Sequence, residues 1–215
     1  MSTLKIIEAL RLAAQSLSQR PETPVVEETP VDYEPYKVTP RVAAELAAHE
    51  GIVLEAYKDV VGVWTWGIGV TNASGHSVMR YKDNPSSIAR VFEVFEWLVR
   101  EKYTAPVQRA FRFEPLSEEQ FAAALSFHYN TGAIERATWV KSWLKGDRKA
   151  ARAEILNWAR PVSILGRRRK EQALFFDGKW SSDGTALEYS VAKPSYTPVK
   201  PKRIEVMSHI EVALG

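Results

Sequence analysis

The sequence lacks several features that would assign it to common functional classes. It has 215 residues and no cysteine, which excludes disulfide bonds, thiol nucleophiles and cysteine-based metal sites. Its four histidines are scattered without ligand spacing, so we expect no metal and no cofactor: His49, His76, His128 and His209. The net charge of +3 is too small to predict a nucleic-acid partner, and we expect at most an approach to an anionic surface.

The two ends of the chain differ from its centre. Residues 1–19 repeat apolar side chains at helical spacing and predict an amphipathic helix, whose charges and short apolar run argue against a signal peptide or stable membrane insertion. Residues 20–38 are rich in proline and predict a linker, although Tyr33 and Tyr36 also fit a segment packed on the surface. Residues 181–215 predict a basic, proline-containing C-terminal extension. Either end could bind a protein partner.

Residues 39–70 carry the pattern around which the chain is organised. Thr39 and Pro40 are typical of a helix start, and apolar residues then follow at helical spacing. Glu50 lies on the same stripe, directly before Gly51, which ends the helix. A carboxylate in line with an apolar face is expected to point inward, where partial desolvation suits a general acid. The alternative is a glutamate at a helix end that pairs with an arginine.

A β-hairpin is predicted after this helix, with Asp59 in its turn. In the second strand, residues 63–69, the side chains of Thr65, Gly67 and Gly69 alternate onto one face, which is nearly bare and lets a ligand approach the backbone. A desolvated glutamate, an exposed aspartate and a hydroxyl beside such a surface are the parts of a glycosidase site.

The run EGIVLEAYKDVVGVWTWGIG, residues 50–69, resembles the catalytic region of the phage-type lysozymes, the T4-lysozyme and endolysin group of family 24 glycoside hydrolases. The catalytic residues of that family are Glu, Asp and Thr in this order, so the resemblance implies that Glu50, Asp59 and Thr65 are catalytic. Gly67 and Gly69, on the bare face of the second strand, are the candidates for binding substrate. The resemblance also implies an α+β, mainly α, fold over residues 39–180, with a small β-hairpin lobe and a helical lobe joined by a long helix.

Three later stretches fit the same resemblance. Residues 86–103 have a broad apolar stripe and predict the long connecting helix. Ser117 and Gln120 predict a capping box at the start of the next helix, which we expect to run to about residue 129. In the family the end of this helix faces the substrate, so Asn130 is a candidate for binding a sugar group and, alternatively or in addition, a helix cap.

The predicted last helix of the catalytic domain begins near Arg167. The run GRRRKEQALF, residues 166–175, resembles the helix that closes the second lobe in the family, where an arginine forms a salt bridge with the catalytic glutamate. The resemblance therefore implies that Arg167 orients Glu50, with Arg168 as the alternative if the register shifts by one residue.

The function implied is that of a muramidase, which cleaves the β-1,4 bond between N-acetylmuramic acid and N-acetylglucosamine in bacterial peptidoglycan, by an inverting mechanism. The resemblance implies a phage endolysin that stays in the host cytoplasm until release, acts on the periplasmic cell wall and causes lysis. A lytic transglycosylase and a virion-associated module that binds or penetrates the wall are the alternatives.

Overall fold

The computed structural model of the protein describes residues 34–214, so the predicted helix at residues 1–19 and most of the predicted linker lie outside the described residues. The chain from Glu34 onward forms one compact unit. Within residues 34–214, no helix is long and apolar enough to cross a membrane.

Helices make up just over half of this unit, and its strands belong to one five-stranded sheet. The helices are α1 (Pro40–Glu50), α2 (Ile88–Leu98), α3 (Ala105–Ala110), α4 (Glu118–Thr131), α5 (Thr138–Leu144), α6 (Arg148–Glu154), α7 (Leu165–Asp177) and α8 (Met207–Leu214). The strands are β1 (Ile52–Lys58), β2 (Trp64–Gly67), β3 (Val70–Thr71), β4 (Thr185–Ala192) and β5 (Thr197–Glu205). The predicted α+β, mainly α, fold class is confirmed.

The sheet is larger than the predicted hairpin, because the C-terminal segment adds to it. Its strand order is β3-β2-β1-β4-β5. Strands β1, β2 and β3 are antiparallel neighbours, whereas β4 pairs with β1 in parallel and β5 pairs with β4 antiparallel. Two strands of the sheet therefore lie within the predicted C-terminal extension, residues 181–215. Proline did not prevent pairing here because β5 is an edge strand, where a missing N–H costs little.

The second strand of the hairpin is shorter than predicted. It ends at Gly67, and residues 68–69 turn the chain back into β3. Both glycines have positive φ angles, +64° at Gly67 and +71° at Gly69, which other residues rarely adopt and which break the extended conformation. Gly69 therefore belongs to a turn and does not continue one face of β2.

The connecting helix continues beyond its predicted end. After α2 the chain follows a π-helical segment, Val99–Thr104, and enters α3 without a break, passing through Pro106. Proline donates no N–H and crowds the turn before it, and the wider π-helical turn relieves both problems.

The core surrounds α4. The predicted capping box is confirmed, with Ser117 Oγ accepting from the Gln120 N–H and the Gln120 side chain accepting from the Ser117 N–H. The predicted stop is also close, since the helix ends at Thr131 and Gly132 adopts the left-handed C-cap conformation. From the predicted linker, Tyr36 is buried and packs edge-on against Phe121 of α4, with ring centroids 5.5 Å apart.

Candidate active site

Glu50 is the last residue of α1, and its side chain is only 19% exposed. Oε1 accepts a hydrogen bond from Arg167 Nη1 at 2.5 Å. Oε2 lies on the side of Gly69, where an added Cβ would stand 3.7 Å from it. One carboxylate oxygen is therefore held by the arginine, and the other faces a position that has no side chain.

Arg167 joins Glu50 to a second buried carboxylate. Its Nε donates to Glu171 Oε1 at 2.9 Å, and its Nη2 donates to the backbone oxygen of Ser126 at 2.9 Å. Burial raises the pKa of Glu171, against the lowering effect of the arginines beside it. The planar guanidinium holds three neighbours in a fixed geometry, whereas a lysine ammonium is a point charge with rotatable donors.

Arg168 points elsewhere, into the protein interior. It is fully buried, with Nη1 2.9 Å from Glu171 Oε2, and its Nη2 donates to Asn130 Oδ1 at 2.8 Å. Asn130 lies in the last turn of α4 and is exposed, and the C-cap of this helix is Gly132. Of the two candidate arginines, the structure therefore places Arg167 on Glu50, and it ties Asn130 to Arg168.

Three tyrosines, Tyr57, Tyr103 and Tyr129, lie near enough to Glu50 for its negative charge to raise their pKa values. Burial, together with the negative charges of Glu50 and Asp59, raises the pKa of Tyr57 to about 12. Burial and Glu50 also raise the pKa values of Tyr103 and Tyr129, whose rings lie 4.6 Å apart. These phenols therefore stay neutral at pH 7. The sequence analysis did not single them out, although Tyr57 lies within the run of residues 50–69 and Tyr129 lies at the predicted end of its helix.

Asp59 and Thr65 belong to the hairpin, Asp59 in the turn after β1 and Thr65 in β2. Asp59 Oδ1 accepts from the N–H groups of Val61 and Val63 at 2.9 and 2.8 Å, which fixes the turn. Thr65 lies opposite Tyr57 in the ladder, is nearly buried, and donates from Oγ1 to the backbone oxygen of Val63 at 3.1 Å. The two side chains thus hold the same residue and do not bond to each other.

The two candidate glycines differ in their surroundings. A Cβ at Gly67 would meet the side chain of Val91 in α2 at 3.4 Å, so the structure does not bring this position to Glu50. Gly69 lies beside Glu50 and also lines a cavity of about 250 Å³, together with Thr71, Lys102 and Tyr103. The bare surface expected from both glycines is therefore found beside Gly69.

The site as a whole combines a mostly buried glutamate at a helix end, an aspartate in the hairpin turn and a hydroxyl on the following strand. A cavity is lined by Gly69, the glycine beside the glutamate. Paired carboxylates of unequal burial are the arrangement used by glycosidases, because one can act as an acid while the other stays ionised. The fold and the site therefore define the glycosidase class.

Comparison with known proteins gives the family. The sequence model of the phage lysozyme family matches residues 47–172, more than half of the chain. The chain belongs to the phage lysozyme family. The resemblance inferred from residues 50–69 is thereby confirmed, and the protein is a glycoside hydrolase of the lysozyme type that acts on peptidoglycan.

Solved structures agree with this assignment. An endolysin from Escherichia coli O157:H7 phage FAHEc1 is similar with a TM-score of 0.60 and 22% identity, covering 68% of this chain and 97% of that chain. A P22 lysozyme variant has a TM-score of 0.54 and 25% identity, covering 65% and 97%. The muramidase domain of SpmX from Asticaccaulis excentricus has a TM-score of 0.51 and 20% identity, covering 65% and 97%. No curated protein matches the chain in sequence.

Proposed function

We propose that the protein is a muramidase that cleaves the β-1,4 bond between N-acetylmuramic acid and N-acetylglucosamine, with Glu50 as general acid. The observation that carries this proposal is the asymmetry of the Glu50 carboxylate. Arg167 holds Oε1, so Oε2 beside Gly69 is the oxygen that delivers the proton to the leaving glycosidic oxygen.

Asp59 and Thr65 supply the second half of the reaction. Asp59 is only partly buried and uses Oδ1 to hold the turn, which leaves Oδ2 for the developing positive charge and for a water proton. The Thr65 hydroxyl donates to the Val63 carbonyl and can accept from the same water. A water held between an acid and a second carboxylate attacks the opposite face of the sugar, so we propose inversion at the anomeric carbon.

The test is a digest of purified peptidoglycan with the product ends identified by mass, comparing the intact protein with Glu50→Gln. Glu93→Gln, an exposed glutamate on α2, is the matched control. We expect reducing muramic-acid ends that disappear only in Glu50→Gln. Because the substrate bond is β, the first product seen by NMR should be the α-anomer. A β-anomer would overturn inversion.

Two other outcomes would favour the alternatives. Anhydro-muramic ends would identify a lytic transglycosylase. Absence of products, with retained binding to the wall, would identify a wall-binding module.

We further propose that the protein is a phage endolysin, which accumulates in the host cytoplasm and reaches the periplasmic wall on release. Membership of the phage lysozyme family supports this role. Fractionation of infected cells and mass spectrometry of purified virions would test it, because a virion-attached enzyme would be found in the particles.

A further inference from the structure

The C-terminal segment Ser181–Leu214 contacts both elements that carry the candidate catalytic carboxylates. It follows the end of the family match at residue 172. The endolysin and P22 lysozyme structures are each covered over 97% of their own length but match only 65–68% of this chain, so this chain carries structure that they lack. The contacts that matter lie at the start of the segment, in strand β4 and in the turn between β4 and β5, and each adjoins Glu50 or Asp59.

The first end of the segment holds α1, the helix that ends in Glu50. Ser181 Oγ donates to Glu45 Oε1 at 2.6 Å, and the N–H groups of Ser181 and Ser182 donate to Glu45 Oε2 at 3.1 and 2.8 Å. Glu45 is fully buried one turn before the end of α1. A buried carboxylate needs such donors, and the C-terminal segment supplies them.

From this end a chain of hydrogen bonds leads to Arg167. Burial, followed by the positive charges of Arg167, Lys170 and Arg168, lowers the pKa of His49 to about 3, so its ring is neutral and has one N–H. Ser126 Oγ donates to Glu171 at 2.7 Å, so at the 3.0 Å contact between His49 Nδ1 and Ser126 Oγ the donor must be Nδ1.

The other ring nitrogen of His49, Nε2, lies 3.0 Å from Ser181 Oγ, the hydroxyl that donates to Glu45. Ser126 also accepts from Arg167 Nη2 at 3.2 Å, and Arg167 holds Glu50. The contacts Ser181–His49–Ser126–Arg167 therefore form one continuous chain that ends on the candidate acid.

Strand β4 packs against Gly51, the residue that follows Glu50. A Cβ at Gly51 would stand 2.9 Å from the ring of Tyr189 and 3.3 Å from the backbone oxygen of Leu187. Strand β4 also pairs with the first two residues of β1 in parallel. The junction between α1 and β1 is thus fixed from the side of β4.

The turn between β4 and β5 holds the base of the Asp59 turn. The backbone oxygen of Tyr196 accepts from the Lys58 N–H at 2.7 Å, and the Tyr196 ring packs edge-on against Trp64, with centroids 5.0 Å apart. Lys58 precedes Asp59, and Trp64 precedes Thr65. In the same turn, Lys193 forms ion pairs with Glu55 of β1 and with Asp83.

We propose that Ser181–Leu214 is a positioning element that fixes Glu50 and Asp59 relative to each other, with Ser181 and Tyr196 as its positioning residues. The proposal rests on the muramidase function proposed above. It differs from simple stabilisation because the segment holds the residues adjacent to two groups whose spacing decides the rate. Misplacement by about 1 Å can cost two orders of magnitude in rate.

The first test is Ser181→Ala, which removes the hydroxyl shared by Glu45 and His49. We expect kcat to fall about tenfold with KM within about twofold, measured well below the melting temperature, because the acid moves while the substrate surface stays. Ser181→Thr, which keeps the hydroxyl, should restore most of the rate. Ser190→Ala, an exposed serine of β4, is the matched control and should match the parent protein.

The second test addresses the contact of the β4–β5 turn with the strand that precedes Thr65. Tyr196→Ala removes the ring from Trp64, whereas Tyr196→Phe keeps the ring and loses only the hydrogen bonds from its hydroxyl to Asp83. We expect the alanine variant to lower kcat by about tenfold and the phenylalanine variant to change it by less than twofold.

A readout independent of activity separates this proposal from the proposed function. The Arg167 Nε–H resonance should shift in Ser181→Ala and return in Ser181→Thr. An unmoved resonance and unchanged kcat, together with a lower melting temperature, would show that the segment only stabilises the fold and would overturn the proposal. If the parent protein is inactive but the Arg167 Nε–H resonance still shifts in Ser181→Ala, the muramidase function is overturned and the positioning of Arg167 by the segment stands.

Discussion

Arg167 connects two carboxylates of different burial, the partly shielded Glu50 and the fully buried Glu171. A buried ion pair stabilises little when its desolvation is counted, but removing one partner leaves a charge without compensation and costs about 3–5 kcal/mol. Arg168 adds a second positive charge to Glu171. The arrangement is best understood as fixing the direction of the Arg167 guanidinium, because each of its three nitrogens has a partner.

At the same scale, His49 gives a pH-dependent stability. Its pKa is about 3 in the folded protein against 6.5 in the unfolded chain, so between these values the unfolded chain binds a proton that the folded protein does not. Stability therefore falls as the pH falls from about 7 toward 3. At about 1.4 kcal/mol for each pH unit, the loss from this residue reaches roughly 4 kcal/mol.

We expect His49→Gln to remove this slope, as measured by urea unfolding from pH 7 to 4. Glu171, whose pKa is raised by burial, contributes a slope of the opposite sign, and it cancels in the difference between the two proteins. Parallel pH dependences for the parent and the variant would show that His49 does not titrate as its burial requires.

At the scale of elements, the turn between β2 and β3 decides how closely the backbone approaches Glu50. Gly69 has a φ of +71°, and an added Cβ would stand 3.3 Å from the ring of Tyr129 and 3.7 Å from Glu50. The hydroxyl of Tyr129 donates to the backbone oxygen of Ile68, which fixes the turn against α4. The sheet and the central helix therefore meet at the acid.

The pair Gly69→Ala and Gly67→Ala tests this geometry. Both variants carry an unfavourable positive φ, which costs about 1–2 kcal/mol in each. Only the methyl group at residue 69 would enter the space beside Glu50, so we expect its kcat/KM to fall at least tenfold and that of Gly67→Ala to fall much less. Denaturant unfolding and initial rates on solubilised wall fragments measure the two effects. Equal losses of activity would mean that strain, and not the approach to Glu50, limits the rate.

At the scale of the whole molecule, segments outside the family match contribute to the same core. Tyr36 precedes the match and is buried against Phe121, with its hydroxyl donating to the backbone oxygen of Glu114. Val206 and Ile210, which follow the match, are buried in the same core cluster. Segments before and after the family match therefore both pack into the core of the lysozyme scaffold.

Two truncations separate the part of the predicted linker that packs from the rest. A chain beginning at Glu34 should keep the melting temperature and the activity on permeabilised cells, since Glu34 begins the compact unit. A chain beginning at Thr39 loses the Tyr36 ring, which costs about 3 kcal/mol and lowers the melting temperature by roughly 10 °C. Equal melting temperatures for the two chains would contradict a structural role for Tyr36.

Local patterns were enough to predict much of this protein. Thr39 and Pro40 begin α1, and Ser117 and Gln120 form the capping box of α4, because caps depend on hydrogen bonds within one turn. The family and the catalytic candidates came from residues 50–69, where a helix end and a hairpin are encoded within 20 consecutive positions. The roles of Glu50, Asp59 and Thr65 remain predictions.

The sequence by itself determined the fold class and the family, because residues 50–69 resemble the phage-type lysozymes. It also determined the segment that carries the candidate carboxylates, since a helix end and a hairpin rest on preferences within a few residues. The tertiary structure decided that Arg167 and not Arg168 contacts Glu50, because that choice depends on how α7 rotates against α4. It also decided that Ser181–Leu214 completes the sheet. The pairing of β4 with β1 joins residues more than 130 positions apart, and no local propensity encodes a contact at that distance.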